Sequence, residues 1–160
     1  MKTRIGFGMD VHRLAKGRKF ILGGIEIPFD KGPEGHSDAD VLVHAICDAL
    51  LGALSLKDIG HHFPDTSEKY KSISSLVLLE QVVKMISAKG YSIGNIDSTV
   101  LLERPKISMY VNKMCAVLST ALGISTDDIS IKATTNERMG FVGREEGIAA
   151  YAVVLITKAG

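Results

Sequence analysis

A chain of 160 residues, 46% hydrophobic and 23% charged, holds enough apolar material for one core, and a single domain over residues 1–160 is expected. A formal net charge of +1 excludes a broad nucleic-acid face, and no apolar run reaches the roughly 18 residues of a membrane span. The stretch before Asp10 is too short and too polar for a secretory signal, so a cytoplasmic protein is expected, with Cys47 and Cys115 as reduced core thiols.

In RIGFGMDVH, Ile5, Phe7, Met9 and Val11 share one side and Gly6, Gly8, Asp10 and His12 the other, which predicts a half-buried strand. KFILGGIEIPF reads as two short strands around a Gly-Gly turn, and FDKGPEGHSDAD as a loop. A helix is predicted over 39–54, capped by Ser37 or Asp38. SLKDIGHHFPDTSEKYKS reads as a second long polar loop. An amphipathic helix over 73–89 ends at Gly90. SIGNIDSTVLLE reads as a strand, followed by a helix over about 107–122 that closes at Gly123. ISIKATT is a strand, NERMGFVGREEG a loop and IAAYAVVLIT a final strand. Strands mixed with helices in this order predict an α+β layered domain.

Asp10 and His12 are two apart on a strand, so their side chains share a face. The helix over 39–54 is apolar except for Asp40, His44 and Asp48, spaced i, i+4, i+8 on one stripe. Buried charge is costly, so such a stripe points to a partner. The economical set is Asp10, His12 and His44, a carboxylate and two imidazoles. It suits Zn²⁺ with an open fourth position, and other divalent ions would accept the same donors. Asp48 would orient a histidine or hold a substrate hydroxyl. A structural polar network is the alternative.

Three other clusters stand out. Ser37 reads either as a helix cap or, with His36 and the first helical N–H groups, as part of an anion site. KDIGHHFPD holds Asp58 and Asp65, which bind hydroxyls or cap turns, and His61 and His62, which read as surface residues. In KATTNERMGFVGREEG, Thr134 and Thr135 end a strand where hydroxyls can face phosphate. Arg144 reads as a phosphate clamp or as the partner of Glu145 or Glu146. Lys106 reads as a phosphate anchor or a solvated charge. The residues alone thus lead to a metal-dependent site for a phosphorylated ligand. They leave open a zinc-dependent phosphoester hydrolase.

Five stretches in order, DVH, HSDADVLVHAICDALLGAL, DIGHHFPDT, AKGYSIGNID and KATTNERMGFVGREEGI, resemble the 2-C-methyl-D-erythritol 2,4-cyclodiphosphate synthase family over about Arg4 to Ile156. The resemblance implies an α+β subunit with a four-stranded mixed sheet, helices on one face, and a homotrimer with active sites between neighbours. It implies a cyclising, CMP-releasing phosphorus–oxygen lyase of the non-mevalonate isoprenoid pathway, acting on 4-diphosphocytidyl-2-C-methyl-D-erythritol 2-phosphate. Asp10, His12 and His44 would ligate the first metal. Mg²⁺ or Mn²⁺ would bridge the substrate diphosphate at Glu137. His36 and Thr135 would stabilise the transition state.

Substrate contacts would come from Ser37, Asp58, Ile59, Gly60, Phe63, Pro64, Asp65, Thr66, Ser67, Phe141 and Arg144. The nucleotide would lie along Leu102, Glu103, Arg104, Pro105, Lys106, Ile107 and Ser108, and along Ala133, Thr134, Thr135, Asn136 and Glu137. Phe141, Arg144 and Glu146 would line a central channel that holds an isoprenoid diphosphate in some members, and the resemblance thereby adds a non-enzymatic trimeric binder of isoprenoid diphosphates as an alternative. Three positions depart from the family pattern: Met9 stands where Phe is frequent, Asn136 replaces a common Thr, and Glu145 a common Gly.

Overall fold

The computed structural model describes residues 2–158. In chain order the strands are β1 (Lys2–Lys16), β2 (Phe20–Leu22), β3 (Ile25–Ile27), β4 (Lys31–Pro33), β5 (Ser92–Leu101), β6 (Ile129–Thr134) and β7 (Gly147–Lys158). The helices are α1 (Val41–Ala53), α2 (Ile59–His62), α3 (Ser75–Ala88), α4 (Val111–Leu122) and α5 (Gly140–Gly143). The main sheet has the order β4-β1-β7-β5-β6, with β5 and β6 parallel and the other pairs antiparallel. β2 and β3 form a separate hairpin whose Gly23 and Gly24 take φ of 57° and 78°, left-handed angles that suit glycine.

The sheet therefore has five strands, not the four expected. The extra strand, β4, pairs Lys31 to Pro33 with Lys16 to Leu14 of β1. Its KGP sequence reads as loop because glycine and proline are poor strand formers, but proline is tolerated on an edge strand. The expected loops SLKDIGHHFPDTSEKYKS and NERMGFVGREEG each carry a short helix, α2 and α5.

β1 positions everything that follows. Its alternation is as expected, but the glycines face inward. A Cβ on Gly6 would overlap the carbonyl oxygen of Ala49, and one on Gly8 that of Ala45. Helix α1, with Ala45, Ala49 and Ala53 one turn apart, lies flush on the strand backbone. The apolar side faces out: Ile5 is 68% exposed, Phe7 61%, Met9 46% and Val11 42%. Behind α1 the core continues through Leu79 and Val82 of α3 and Met114 and Leu118 of α4. Cys47 and Cys115 are buried free thiols, as expected.

The start of α1 differs from the expectation. The cap is Asp40, not Ser37 or Asp38. Its carboxylate accepts the N–H of Val43 at 3.1 Å, of Gly23 at 3.0 Å and of Gly24 at 2.7 Å, and it is fully buried. Asp40 thus ties the helix to the hairpin instead of extending the polar stripe of His44 and Asp48. Among the described residues no helix is long and apolar enough to cross a membrane.

Candidate metal centre and active site

The Gly6/Gly8 contact sets His44 of α1 opposite Asp10 and His12 of β1. His44 Nδ1 lies 3.0 Å from Asp10 Oδ2, His12 Nε2 lies 2.9 Å from the same oxygen, and the two ring nitrogens are 3.3 Å apart. Donor atoms of these three residues lie within 4.8 Å of one another. Bonds of 2.0–2.1 Å to a tetrahedral ion place neighbouring donors about 3.3 Å apart, so the spacing suits a small divalent ion.

The rest of each imidazole is already committed. His12 Nδ1 donates to the Glu34 carbonyl at 2.7 Å, which leaves the Nε2 lone pair for a metal. His44 Nε2 lies 2.8 Å from Ser75 Oγ and 3.2 Å from Ser37 Oγ. Burial pushes the Asp10 carboxyl up, but hydrogen bonds and charge from His12 and His44 outweigh it and hold the group well below the usual carboxylate range. Burial pulls His12 down, but its bond to Asp10 and the carboxylate charge leave it above its ordinary value.

His12 and His44 of the triad open onto a cavity of about 370 Å³. Of the residues expected in the site, His12, His36, Ser37, His44, Ile59, Gly60, Phe63 and Asp65 line it. Gly35, Tyr70, Ile73 and Leu78 complete the wall, and the sequence reading missed them because they lie in loops or on an apolar helix face. His36 Nε2 donates to the Ser67 carbonyl at 3.1 Å, joining the two loops. Asp58 caps α2 by accepting the His61 N–H at 2.8 Å. Asp48 accepts the Ile59 N–H at 2.7 Å, so it holds α2 in place, while the partners of His44 Nε2 are serines. Pro64 and Thr66 are exposed beside the cavity residues.

A second, smaller cavity of about 150 Å³ collects Leu102, Pro105, Lys106, Ile107, Ser108, Ala133, Thr134 and Thr135. His36 and Thr135, paired in the sequence reading, thus line different cavities of one chain. Beside the second cavity, Glu103 Oε1 accepts the N–H groups of Asn136 at 2.9 Å and Arg138 at 3.2 Å. Glu137 and Arg138 both have left-handed backbones, with φ of 50° and 62°. Glu137 is exposed and receives the Thr135 hydroxyl at 3.3 Å. Arg104 pairs bidentately with Glu145, at 2.7 and 2.8 Å. Arg144 pairs with Glu146 through two contacts of 3.0 Å, and both line a third cavity with Arg13 and Lys31, while Phe141 is 41% exposed nearby in sequence.

The family model of the YgbB family matches residues 3–157. The chain belongs to the YgbB family. It is 60% identical to a 2-C-methyl-D-erythritol 2,4-cyclodiphosphate synthase of Bacteroides fragilis over 158 residues, 99% of both chains. Among solved structures it resembles the IspF protein of Plasmodium falciparum in a CDP complex, at 34% identity and a TM-score of 0.87, over 99% of this chain and 97% of that one. It also resembles the bifunctional IspDF of Campylobacter jejuni, at 37% identity and a TM-score of 0.95, covering 99% of this chain but 43% of that one. Within this YgbB chain Ser75, which sequence reasoning passed over, contacts His44, and Asp38, expected only as a helix cap, reaches His44 through Ser75. The link from Ser75 to Asp38 spans 37 positions, and no local pattern signals it.

Proposed function

We propose that this chain, as a single catalytic domain, converts 4-diphosphocytidyl-2-C-methyl-D-erythritol 2-phosphate into 2-C-methyl-D-erythritol 2,4-cyclodiphosphate and CMP, a step of the non-mevalonate route to isoprenoid precursors. One observation carries the reading: donors of Asp10, His12 and His44 lie together, and His12 and His44 line an open cavity with the polar residues His36, Ser37 and Asp65. The family supplies the substrate class, since the B. fragilis relative bears the synthase name and the P. falciparum structure holds CDP.

In the reaction an oxygen of the 2-phosphate attacks the β-phosphorus, the bond to the α-phosphate oxygen breaks, and CMP leaves with that electron pair. The attacking oxygen is already anionic, so no side chain needs to remove a proton. The protein's task is to fold a polyanion back on itself and offset its charge. Asp10, His12 and His44 would hold zinc, and Glu137 magnesium or manganese. When bound, such ions supply positive charge to the diphosphate oxygens. His36 and Ser37 would hold the phosphate facing the triad. Asp58 and Gly60, with the 63–67 segment, would seat the erythritol hydroxyls. The Leu102–Ser108 segment and Thr134 would seat the cytidine, with Lys106 and Thr135 at its phosphates.

These two groups line separate cavities, which supports a homotrimer with sites shared between subunits. The exposed row Ile5, Phe7, Met9 and Val11 on β1, joined by Val153 on β7, supports the same reading. Phe141, Arg144 and Glu146 would then line a channel suited to an isoprenoid diphosphate, with Arg144 as its cation. Two buried free thiols suit the reducing cytoplasm.

The test is bound metal per chain and CMP release with magnesium present, for the protein and for His44→Ala. About one zinc per chain is expected from a single three-ligand site, lost in the variant together with CMP release. CMP release that survives loss of the metal would overturn the reading. Mixing His12→Ala with Lys106→Ala subunits should restore part of the activity. No rescue in verified mixed trimers would count against shared sites.

A further inference from the structure

We propose that Asp38 and Ser75 are positioning residues for the metal site, forming a hydroxyl-bridged relay from a carboxylate to His44. The inference rests on the metal reading of Asp10, His12 and His44. If His44 uses Nδ1 as a ligand, its neutral ring carries the proton on Nε2. That N–H points at Ser75 Oγ, 2.8 Å away. The Ser75 hydroxyl in turn donates to Asp38 Oδ1, and the Ser75 backbone N–H donates to Asp38 Oδ2 at 3.0 Å. Every proton in this chain has one direction: imidazole to hydroxyl, hydroxyl to carboxylate.

The relay is built, not incidental. Ser75 is fully buried, so water does not compete for its hydroxyl. The residue before it, Ser74, makes no side-chain cap bond, and Asp38 takes over that task for α3. Asp38 is itself fixed, its N–H donating to the Ile73 carbonyl at 3.1 Å and its Oδ1 accepting from Asp40 N at 3.3 Å. Ser37 Oγ is also within reach of His44 Nε2, but at 3.2 Å and on the cavity wall, where substrate would engage it.

Histidine ligands are commonly oriented by a carboxylate that accepts their distal N–H. Here the carboxylate acts through one hydroxyl. It locks the tautomer that frees Nδ1 and makes the ring a better donor. It also couples the site to α3, an element that carries no metal ligand.

The experiment is a zinc titration against a competing chelator on the full chain, comparing the protein with Ser75→Ala, Asp38→Asn and Ser75→Thr. Loss of such an outer partner weakens metal affinity by about 10–100-fold, and that range is expected for Ser75→Ala and Asp38→Asn. Ser75→Thr keeps the hydroxyl and should stay within a few-fold of the parent. The visible spectrum of the cobalt-loaded protein should shift in the first two variants, a readout that simple loss of stability would not move. Unchanged zinc affinity with lowered melting temperature would overturn the relay and leave Ser75 a structural residue. If Ser75→Ala does not fold, Asp38→Asn decides by the same criteria. A parent protein that binds no zinc would overturn the metal reading itself.

Discussion

The β1/α1 joint and the 134–146 segment are built by opposite means. At the joint, glycine and alanine bring two backbones into contact, and partly buried or exposed hydrogen bonds fix Asp10, His12 and His44. In the 134–146 segment, exposed side chains hold one another by ion pairs, and Glu137, Arg138 and Glu145 adopt left-handed backbones. The first region has the geometry for a ligand within one chain. The second carries its cations and carboxylates on or near the surface. A difference of this kind is what the proposed sharing of sites between subunits requires.

The largest effect expected from breaking the contrast is at Gly8. In Gly8→Val the new side chain meets helix backbone that cannot rotate away. Overpacking costs roughly 1–3 kcal/mol, and more against backbone. Chemical denaturation should show a loss at or above that range, with zinc binding lost in whatever protein remains folded. Phe7→Asp comes next. A carboxylate in the middle of the apolar row should leave the fold intact but shift sedimentation from the proposed trimer to monomer, because an unpaired charge is not tolerated in an apolar contact. A trimer that persists would remove the apolar row from the interface.

Asp48→Asn sharpens the joint's side of the comparison. Burial pushes the Asp48 carboxyl up, and the charges of Asp58 and Asp10 add to this, against the bond from Ile59 N–H and the pull of His44. The folded chain therefore binds this proton more readily than the unfolded chain, and stability falls as pH rises from the ordinary carboxylate value through the raised one. Asparagine keeps the acceptor without the charge. In metal-free protein the variant should match the parent below that window and be more stable above it, as read by melting temperature against pH. The smallest effect is at Glu145. Glycine there relieves a left-handed backbone, worth roughly 1–2 kcal/mol for an ordinary residue, while the pair with Arg104 is lost. The melting temperature of Glu145→Gly should move little, and the KM of the nucleotide substrate should rise a few-fold as Arg104 is released.

Asp10, His12 and His44 were legible because period-two alternation and helical spacing are local, and each placed one side of the triad correctly. Asp40 misled on the same helix. The i, i+4 stripe includes it, but its carboxylate turns back to cap α1 and to hold Gly23 and Gly24, partners 16 and 17 residues away. The link from Ser75 to Asp38, a residue expected only as a helix cap, was invisible for a similar reason: an interaction between distant segments leaves no period. β4 was read as loop because composition reports average preference, and its three residues are held by β1 and not by their own tendency. The inward face of β1 carries glycines because the space there is taken by a helix backbone. Hydrophobicity alone would have turned that strand around.

The contact at Gly6 and Gly8 also acts as a mechanical datum. Strand and helix rest on bare backbone, so the separation of the ligand-bearing elements is gauged by the thickness of peptide units and not by the size of any side chain. Exchanges in the apolar layer behind α1, around Leu79 or Leu118, can then change how firmly the chain holds together without moving the zero point from which the ligands are measured. Sequence drift in the interior and accuracy at the candidate metal centre are, to that extent, uncoupled.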